Sequence, residues 1–288
     1  MLGGVAGGLV VVPLESLLQW QSPEQHRGGI IALSNIFVAL GTLAGSVGVT
    51  ALSGQLSTNG IFLVAAGLAI VGTVWALWLL PEAFVRLLAI LVTHTMYRID
   101  VRGSHHVPDR GEALLLPNHV SLADVLFILA STDRRVQFVL SERLFDMPVL
   151  GRLLRLLGSI PLPSSGGPRA ILGAMKEASE RLEAGQVICI FPEGEITRTG
   201  MMVPFRQGFD RMLKGRDTPV IPVHLDGVWG SIFSREGGRF VWKIPKRIPY
   251  PVTVSFGEPM PAGTPVHALR AAIRELGADA WMRRKSGR

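Results

Sequence analysis

Apolar and polar positions divide the chain into two unlike parts. Gly28 to Leu52 and Gly60 to Leu80 are uncharged apolar runs of more than 20 residues, long enough to cross a hydrocarbon core of roughly 30 Å as helices. Leu2 to Trp20 forms a third, weaker candidate span, interrupted by Pro13 and Glu15. Residues 82 to 97, "EAFVRLLAILVTHTMY", keep an apolar helical face but carry Glu82, Arg86 and His94. That composition suits an interfacial helix laid along a leaflet better than a fourth span.

Beyond Asp109-Arg110-Gly111, a turn signal, short apolar runs alternate with helical patterns. Strands are expected at 113–116, 136–140, 187–191, 220–225, 240–244 and 252–256. Helices are expected at 122–130, 169–183, 205–214 and 265–283. In the second of these, Ile171, Ala174, Met175, Ala178 and Leu182 keep helical spacing, with Lys176, Glu177, Glu180 and Arg181 opposite. Gly185 follows as a stop signal. "PSSGG" at 163–167 reads as a flexible link. The alternation predicts an α/β domain with a largely buried mixed sheet, preceded by about three transmembrane helices. The expected division is 1–80 for the spans, 81–97 for the interfacial segment and 98–288 for the α/β domain.

Charge sharpens this division. Of 29 Lys+Arg and 22 Asp+Glu, residues 1–80 hold only Arg27, Glu15 and Glu24, so the basic excess lies wholly in the second part. Such a domain suits anionic lipid head groups, acidic carrier proteins or nucleic acid. Arg27 sits between the first two spans, the "SGQLSTN" loop lacks basic residues, and Arg86, Arg98 and Arg102 follow the third. The positive-inside rule then places everything after Leu80 in the cytoplasm. Cys189 is the only cysteine, which excludes a disulfide framework within the chain, and no Cys/His cluster has zinc-ligand spacing.

Two segments carry candidate chemistry. In "LLLPNHVSLADVLFILA", residues 114–130, His119 stands at a strand end and Asp124 opens a helical run. Ser121 and Asp124 also have capping-box spacing, so one reading is a plain helix cap. The other is a histidine base whose tautomer and charge are supported by a carboxylate one turn away. In "VICIFPEGEITRTGMMVPFRQG", residues 187–208, an apolar strand runs into a polar loop with Glu193, Gly194, Thr197, Arg198 and Thr199. Ligands commonly bind at such strand ends. Arg198 could hold a phosphate, or be a solvated loop residue; Glu193 could contact a hydroxyl, or lie in a plain turn.

Together these segments resemble the PlsC-type glycerolipid acyltransferases. "NHVSLAD" looks like that family's NHxxxxD motif, "FPEG" like its FPEG motif, and "VIPVHLDG", with Pro222, like a later family strand. The resemblance spans roughly residues 97–260. It implies His119 as general base and Asp124 as its support. It also implies that Glu193 and Gly194, with Asn118, Ser121 and Arg198, lie on the acceptor side. No cofactor or metal is implied: acyl-carrier protein or coenzyme A thioester is the donor substrate, lysophospholipid and the phospholipid membrane are partners, and nucleic acid is not. Departures from the motifs, Pro163 near a place where the family has Arg and "EITRTG" in place of "TRS", resemble the 2-acylglycerophosphoethanolamine acyltransferases. Residues 7–41, "GGLVVVPLESLLQWQSPEQHRGGIIALSNIFVALG", resemble the last helices of a major facilitator superfamily (MFS) transporter of the lysophospholipid type. Some acyltransferases of that group are fused to such a transporter domain, and to an acyl-carrier-protein ligase.

The expected function is therefore acyl transfer from a thioester to the free hydroxyl of a lysophospholipid, by a multi-pass inner-membrane enzyme with a cytoplasmic site. The alternative acceptor is 1-acylglycerol 3-phosphate. A transporter fragment and a non-catalytic membrane adaptor are the readings from other classes.

Overall fold

The computed structural model describes residues 15, 22, 26–79, 91, 93, 95–164, 167–206, 208–236 and 249–286. Contacts divide the chain into two units, Met1–Trp78 and Leu79–Arg288.

In the first unit, helices α1 (Arg27–Ser53) and α2 (Thr58–Leu79) are joined by a short turn. Both are long and apolar enough to cross a membrane, and their apolar side chains are exposed. At 1.5 Å per residue, α1 extends about 40 Å. Several hydroxyls satisfy themselves within the helices. Thr42, Ser46, Thr50 and Thr73 each donate to the carbonyl four residues back, at 2.8–2.9 Å, which removes the penalty of leaving them unpaired in apolar surroundings. Of the third expected span, Leu2 to Trp20, all but Glu15 lies outside the described residues; Glu15 is helical. The described residues thus hold two candidate spans, and the expected third is not among them.

The second unit is a seven-stranded mixed sheet in the order β1-β7-β6-β2-β5-β3-β4. Its strands are β1 (Tyr97–Arg102), β2 (Ala113–Pro117), β3 (Val136–Ser141), β4 (Ile160–Leu162), β5 (Val187–Ile190), β6 (Val220–Asp226) and β7 (Tyr250–Phe256). The β6–β7 pair is antiparallel and every other pairing is parallel. Helices α3 (Asp124–Leu129), α4 (Glu142–Phe145), α5 (Leu150–Leu156), α6 (Gly167–Glu183) and α7 (Val266–Ser286) complete it.

Strand alternation explains the layering. Along β2, Ala113 and Leu115 pack on one face with Phe127 and Ile128 of α3. Leu114 and Leu116 pack on the other with Ala174, Met175, Ala178 and Leu182 of α6 and Leu269 and Ile273 of α7. A central strand covered on both faces must be apolar at every position, which is why "ALLLP" shows no alternation. Each fully buried leucine contributes about 1.5–3 kcal/mol.

The expected strands at 113–116, 136–140, 187–191, 220–225 and 252–256 are present within a residue or two. The 240–244 strand lies outside the described residues. Strands β1 and β4 were not expected. β1 is an edge strand whose "YRIDVR" has only Tyr97 buried, and β4 has three residues, so neither carries a core pattern. Of the interfacial segment, residues 82–90, 92 and 94 lie outside the described residues. Leu91, Thr93, Thr95 and Met96 are helical, and Tyr97 already belongs to β1. The helix expected at 205–214 shrinks to a 3-10 turn, Phe209–Leu213, because Gly208 at its start and Gly215 at its end hold φ of +122° and +77°, outside helical space. Helices α4 and α5 were missed, being short and carrying one turn or two of pattern.

Candidate active site

β2 lies between β5 and β6 at the middle of the sheet, and its C-terminal end is where the chain must leave toward β3, two places away. Such switch points leave a crevice. Asn118 fixes the exit. Its side-chain carbonyl accepts the Leu225 N–H at 2.7 Å and its amide donates to the Leu225 carbonyl at 3.2 Å, so it completes the ladder to β6 where β2 stops. His119 follows, its carbonyl accepting the Thr197 N–H at 3.0 Å.

Asp124 is 0% exposed and makes an unusually complete set of bonds. Its Oδ2 lies 2.9 Å from His119 Nδ1 and accepts the backbone N–H groups of Val120 at 2.6 Å and Ser121 at 2.9 Å. Its Oδ1 accepts the Ser121 hydroxyl at 2.8 Å. A buried carboxylate without such donors would be heavily penalised. With them it is held as the charged acceptor that fixes an Nδ1–H tautomer, leaving His119 Nε2 without a partner among the described residues. The imidazole stacks on Phe191, with ring centroids 4.0 Å apart and planes at 24°. The His119 side chain is 15% exposed. One ring nitrogen is thus buried against a carboxylate and the ring itself is pinned, the arrangement of a general base and acid.

Side chains also close the turn that leads into α3. The Ser121 hydroxyl accepts the Ala123 N–H at 3.0 Å while Asp124 reaches back to the Ser121 N–H. The helix itself begins after Ala123, which has no side-chain cap bond, so these contacts fix the turn before it and are not a capping box.

The loop after β5 closes the site from the other side. Glu193, 2% exposed, accepts the His119 N–H at 2.8 Å through Oε1 and the Val203 N–H at 2.6 Å through Oε2. Burial raises its acid pKa above the usual range, and the two N–H donors oppose that rise. Gly194 holds φ of +70°, and a Cβ there would fall 2.5 Å from Cδ and Nε of Arg206. Arg206 therefore lies along the bare backbone of Gly194. Cys189 is wholly buried in β5, and burial pushes its thiol pKa well up, the opposite of what a nucleophile needs.

The structure thus brings His119 and Asp124 together as expected. It gives Asn118, Ser121 and Glu193 a different visible task from the substrate contact expected of them: their polar atoms are engaged with backbone and with Asp124, and they position the histidine. Gly194 supplies a backbone conformation. Arg198 is exposed on the same loop. Phe191 and Arg206 were not singled out in the sequence. The signal for Arg206 was available in "VPFRQG", a second cation following the polar loop, but its proximity to Gly194 arises only from the fold.

Comparison with known proteins agrees with this geometry. Residues 98–226 match the family model described as Acyltransferase, and the apolar helices lie outside the match. Among curated relatives, a chloroplastic 1-acyl-sn-glycerol-3-phosphate acyltransferase of Brassica napus is 27% identical over 143 residues, covering 49% of this chain and 41% of its own length. A 1-acyl-sn-glycerol-3-phosphate acyltransferase of Limnanthes douglasii is 29% identical, covering 53% of each. The alpha form from Mus musculus is 25% identical, covering 67% of this chain and 71% of its own. The chain spans about half the length of the plant relatives. The crystal structure of the 1-acyl-sn-glycerophosphate acyltransferase PlsC from Thermotoga maritima superposes with a TM-score of 0.56 over 68% of this chain and 78% of that one, at 22% identity. That likeness shows the fold.

Proposed function

We propose that this protein transfers an acyl chain from an acyl thioester to the free hydroxyl of 1-acylglycerol 3-phosphate at a membrane surface. The observation that carries the chemistry is the His119–Asp124 pair, with Nδ1 held at 2.9 Å and Nε2 unengaged. Nε2 takes the proton of the acceptor hydroxyl as its oxygen attacks the thioester carbonyl. The new C–O bond gives a tetrahedral oxyanion, which collapses with cleavage of the C–S bond. The departing sulfur receives the proton from Nε2, and the imidazole returns to its starting state. Asp124 stabilises the imidazolium throughout. No acyl-enzyme is needed.

The choice of acceptor departs from the ethanolamine lysophospholipid suggested by the sequence motifs. The names of the relatives favour a glycerol 3-phosphate head, and Arg198 and Arg206 supply two cations on the loop beside His119. Arg206 is the better placed, since Gly194 lets its guanidinium approach the backbone of the catalytic loop. A phosphate monoester suits such a pair. The donor is acyl-carrier protein or coenzyme A thioester. In this reading α1 and α2 act as membrane anchors, and the distribution of basic residues supports a cytoplasmic position for the acyltransferase domain of an inner-membrane protein. The transporter origin of residues 1–80 rests on sequence resemblance alone.

The test is acylation by the purified full chain of 1-acylglycerol 3-phosphate, lysophosphatidylethanolamine and lysophosphatidylglycerol, each with both donors, with products read by mass spectrometry. The phosphate acceptor should be preferred at least about ten-fold in kcat/KM, which corresponds to about 1.4 kcal/mol. Preference for the ethanolamine acceptor would instead restore the reading from the motif departures.

A further inference from the structure

A second basic site lies away from the catalytic histidine. Arg98, Asp100 and Arg102 on β1, Asp226 at the end of β6, and Arg283 and Arg284 on α7 line a cavity of about 820 Å³. Two of its arginines are paired: Arg102 donates twice to Asp100, at 2.7 and 2.8 Å, and Arg284 lies 3.2 Å from Asp226. Arg98 and Arg283 have no ion pair among the described residues. The cavity therefore holds an excess of two positive charges, both on guanidinium groups with free donors.

A helix commonly ends in basic residues because they oppose the partial negative charge of its last carbonyls. That accounts for Arg283, Arg284 and Lys285. It does not account for Arg98 and Arg102 on another element across the cavity. The same last turns of α7 also expose Trp281, at 47%, and Met282, at 55%, with Lys285 Nζ 4.3 Å from the Trp281 ring centre. Large apolar side chains exposed among arginines and lysines are the composition of a surface that sits at a membrane interface. A flat acidic protein face would not fill a concave site, whereas a phosphate-bearing head group does.

The position fits as well. β7 runs antiparallel to β6, and β1 parallel to β7, so β1 begins at the end of the sheet where β2 and β6 finish and His119 stands. Tyr97, next to Arg98, packs edge-on against Phe127 of α3 at 4.8 Å.

We propose that the cavity between β1 and α7 binds the phosphate of an anionic phospholipid of the bilayer through Arg98 and Arg283, with the exposed Trp281 of the same helix end entering the interface. This lipid is not the acceptor. It is a docking ligand that turns the His119 end of the sheet toward the leaflet. The assignment rests on reading the domain as an enzyme that works at a membrane, and its test separates binding from turnover.

The full chain in neutral detergent is titrated with short-chain phosphatidylglycerol, phosphatidylcholine or inorganic phosphate, and adducts are read by native mass spectrometry. Wild type should retain phosphatidylglycerol and not phosphatidylcholine. The double variant Arg98→Gln, Arg283→Gln should bind phosphatidylglycerol at least ten-fold more weakly, while acylating detergent-dispersed acceptor within two-fold of wild type. Either single variant, read the same way, replaces the double one if that fails to fold. Equal phosphatidylglycerol adducts in wild type and variant overturn the proposal. So does displacement by inorganic phosphate at concentrations equal to those of the lipid, which would make this a free-phosphate site. Loss of acidic carrier-protein binding in the variant with lipid adducts unchanged would reassign the surface to the donor. A ten-fold loss of acylation in detergent would place the two arginines in the active site. Failure of acyl transfer in wild type, with lipid binding intact, would count against the proposed function alone.

Discussion

Glu193 Oε1 accepts the backbone N–H of His119 at 2.8 Å, although 74 residues separate them in the chain. The glutamate of the second loop thereby holds the main chain of the histidine, while Asp124 holds its ring. The histidine is gripped from two elements, and its Nε2 has no partner among the described residues.

His119→Ala should lower acyl transfer by about a hundred- to ten-thousand-fold, the usual contribution of a general base. Because the ring stacks on Phe191 at the surface of the core, thermal stability should change little. Turnover above about a tenth of wild type, measured with saturating donor and acceptor, would remove His119 from the mechanism.

Asp124→Asn keeps one oxygen to accept the Val120 and Ser121 N–H groups but removes the charge facing Nδ1. Activity should fall at least a hundred-fold while the melting temperature falls only a few degrees. If the two fell together, in proportion, Asp124 would be a helix cap and nothing more.

Glu193→Gln replaces one acceptor oxygen with an amide, so either the His119 or the Val203 N–H loses its partner. An unpaired buried donor costs about 1–3 kcal/mol, partly offset here because a carboxylate is no longer buried. The expected signature is a fall in kcat with KM for the acceptor nearly unchanged, since this residue positions the base. A rise in KM alone would show instead that Glu193 contacts the acceptor.

Gly194→Ala sets a methyl 2.5 Å from the Arg206 side chain at a residue with φ of +70°. The guanidinium must move, and the backbone is strained by about 1 kcal/mol or more. KM for a phosphate-bearing acceptor should rise several-fold, and Arg206→Gln should reproduce that rise. Unchanged KM in both variants would take Arg206 out of the acceptor site.

His224 gives the domain a pH dependence of its own. Burial lowers its pKa from 6.5 to about 4, and its ring is closed in by Gly277, where a Cβ would fall 2.6 Å from Cε1. The unfolded chain takes up this proton below about pH 6.5 and the folded chain only near pH 4, so stability falls as pH drops through that window. His224→Gln should flatten the loss between pH 6.5 and 4 in denaturant titrations. An unaltered pH profile would show that other groups set it.

The sequence by itself determined the features that arise within a few residues of each other. "NHVSLAD" puts a histidine and a carboxylate five positions apart at a strand-to-helix junction, near enough for one turn to bring them to the 2.9 Å seen here. The apolar runs of β2, β3, β5 and β6 were legible because a strand buried on both faces has no polar position. α1 and α2 were legible because length and lack of charge suffice. The expected helix at 205–214 failed locally, because Gly208 within it and Gly215 just past it hold positive φ.

Tertiary structure decided the rest. Which atoms Glu193, Asn118 and Arg206 meet depends on β5 and β6 flanking β2, an adjacency that no periodicity encodes. Strand β1, charged at every second position and buried only at Tyr97, was not recognised until β7 offered it an edge. The arginine cavity joins residues near positions 98 and 283, whose charges read in sequence only as an undirected basic excess. Short-range hydrogen bonds are written into spacing, whereas contacts across the sheet exist only after burial of its two faces has fixed the strand order.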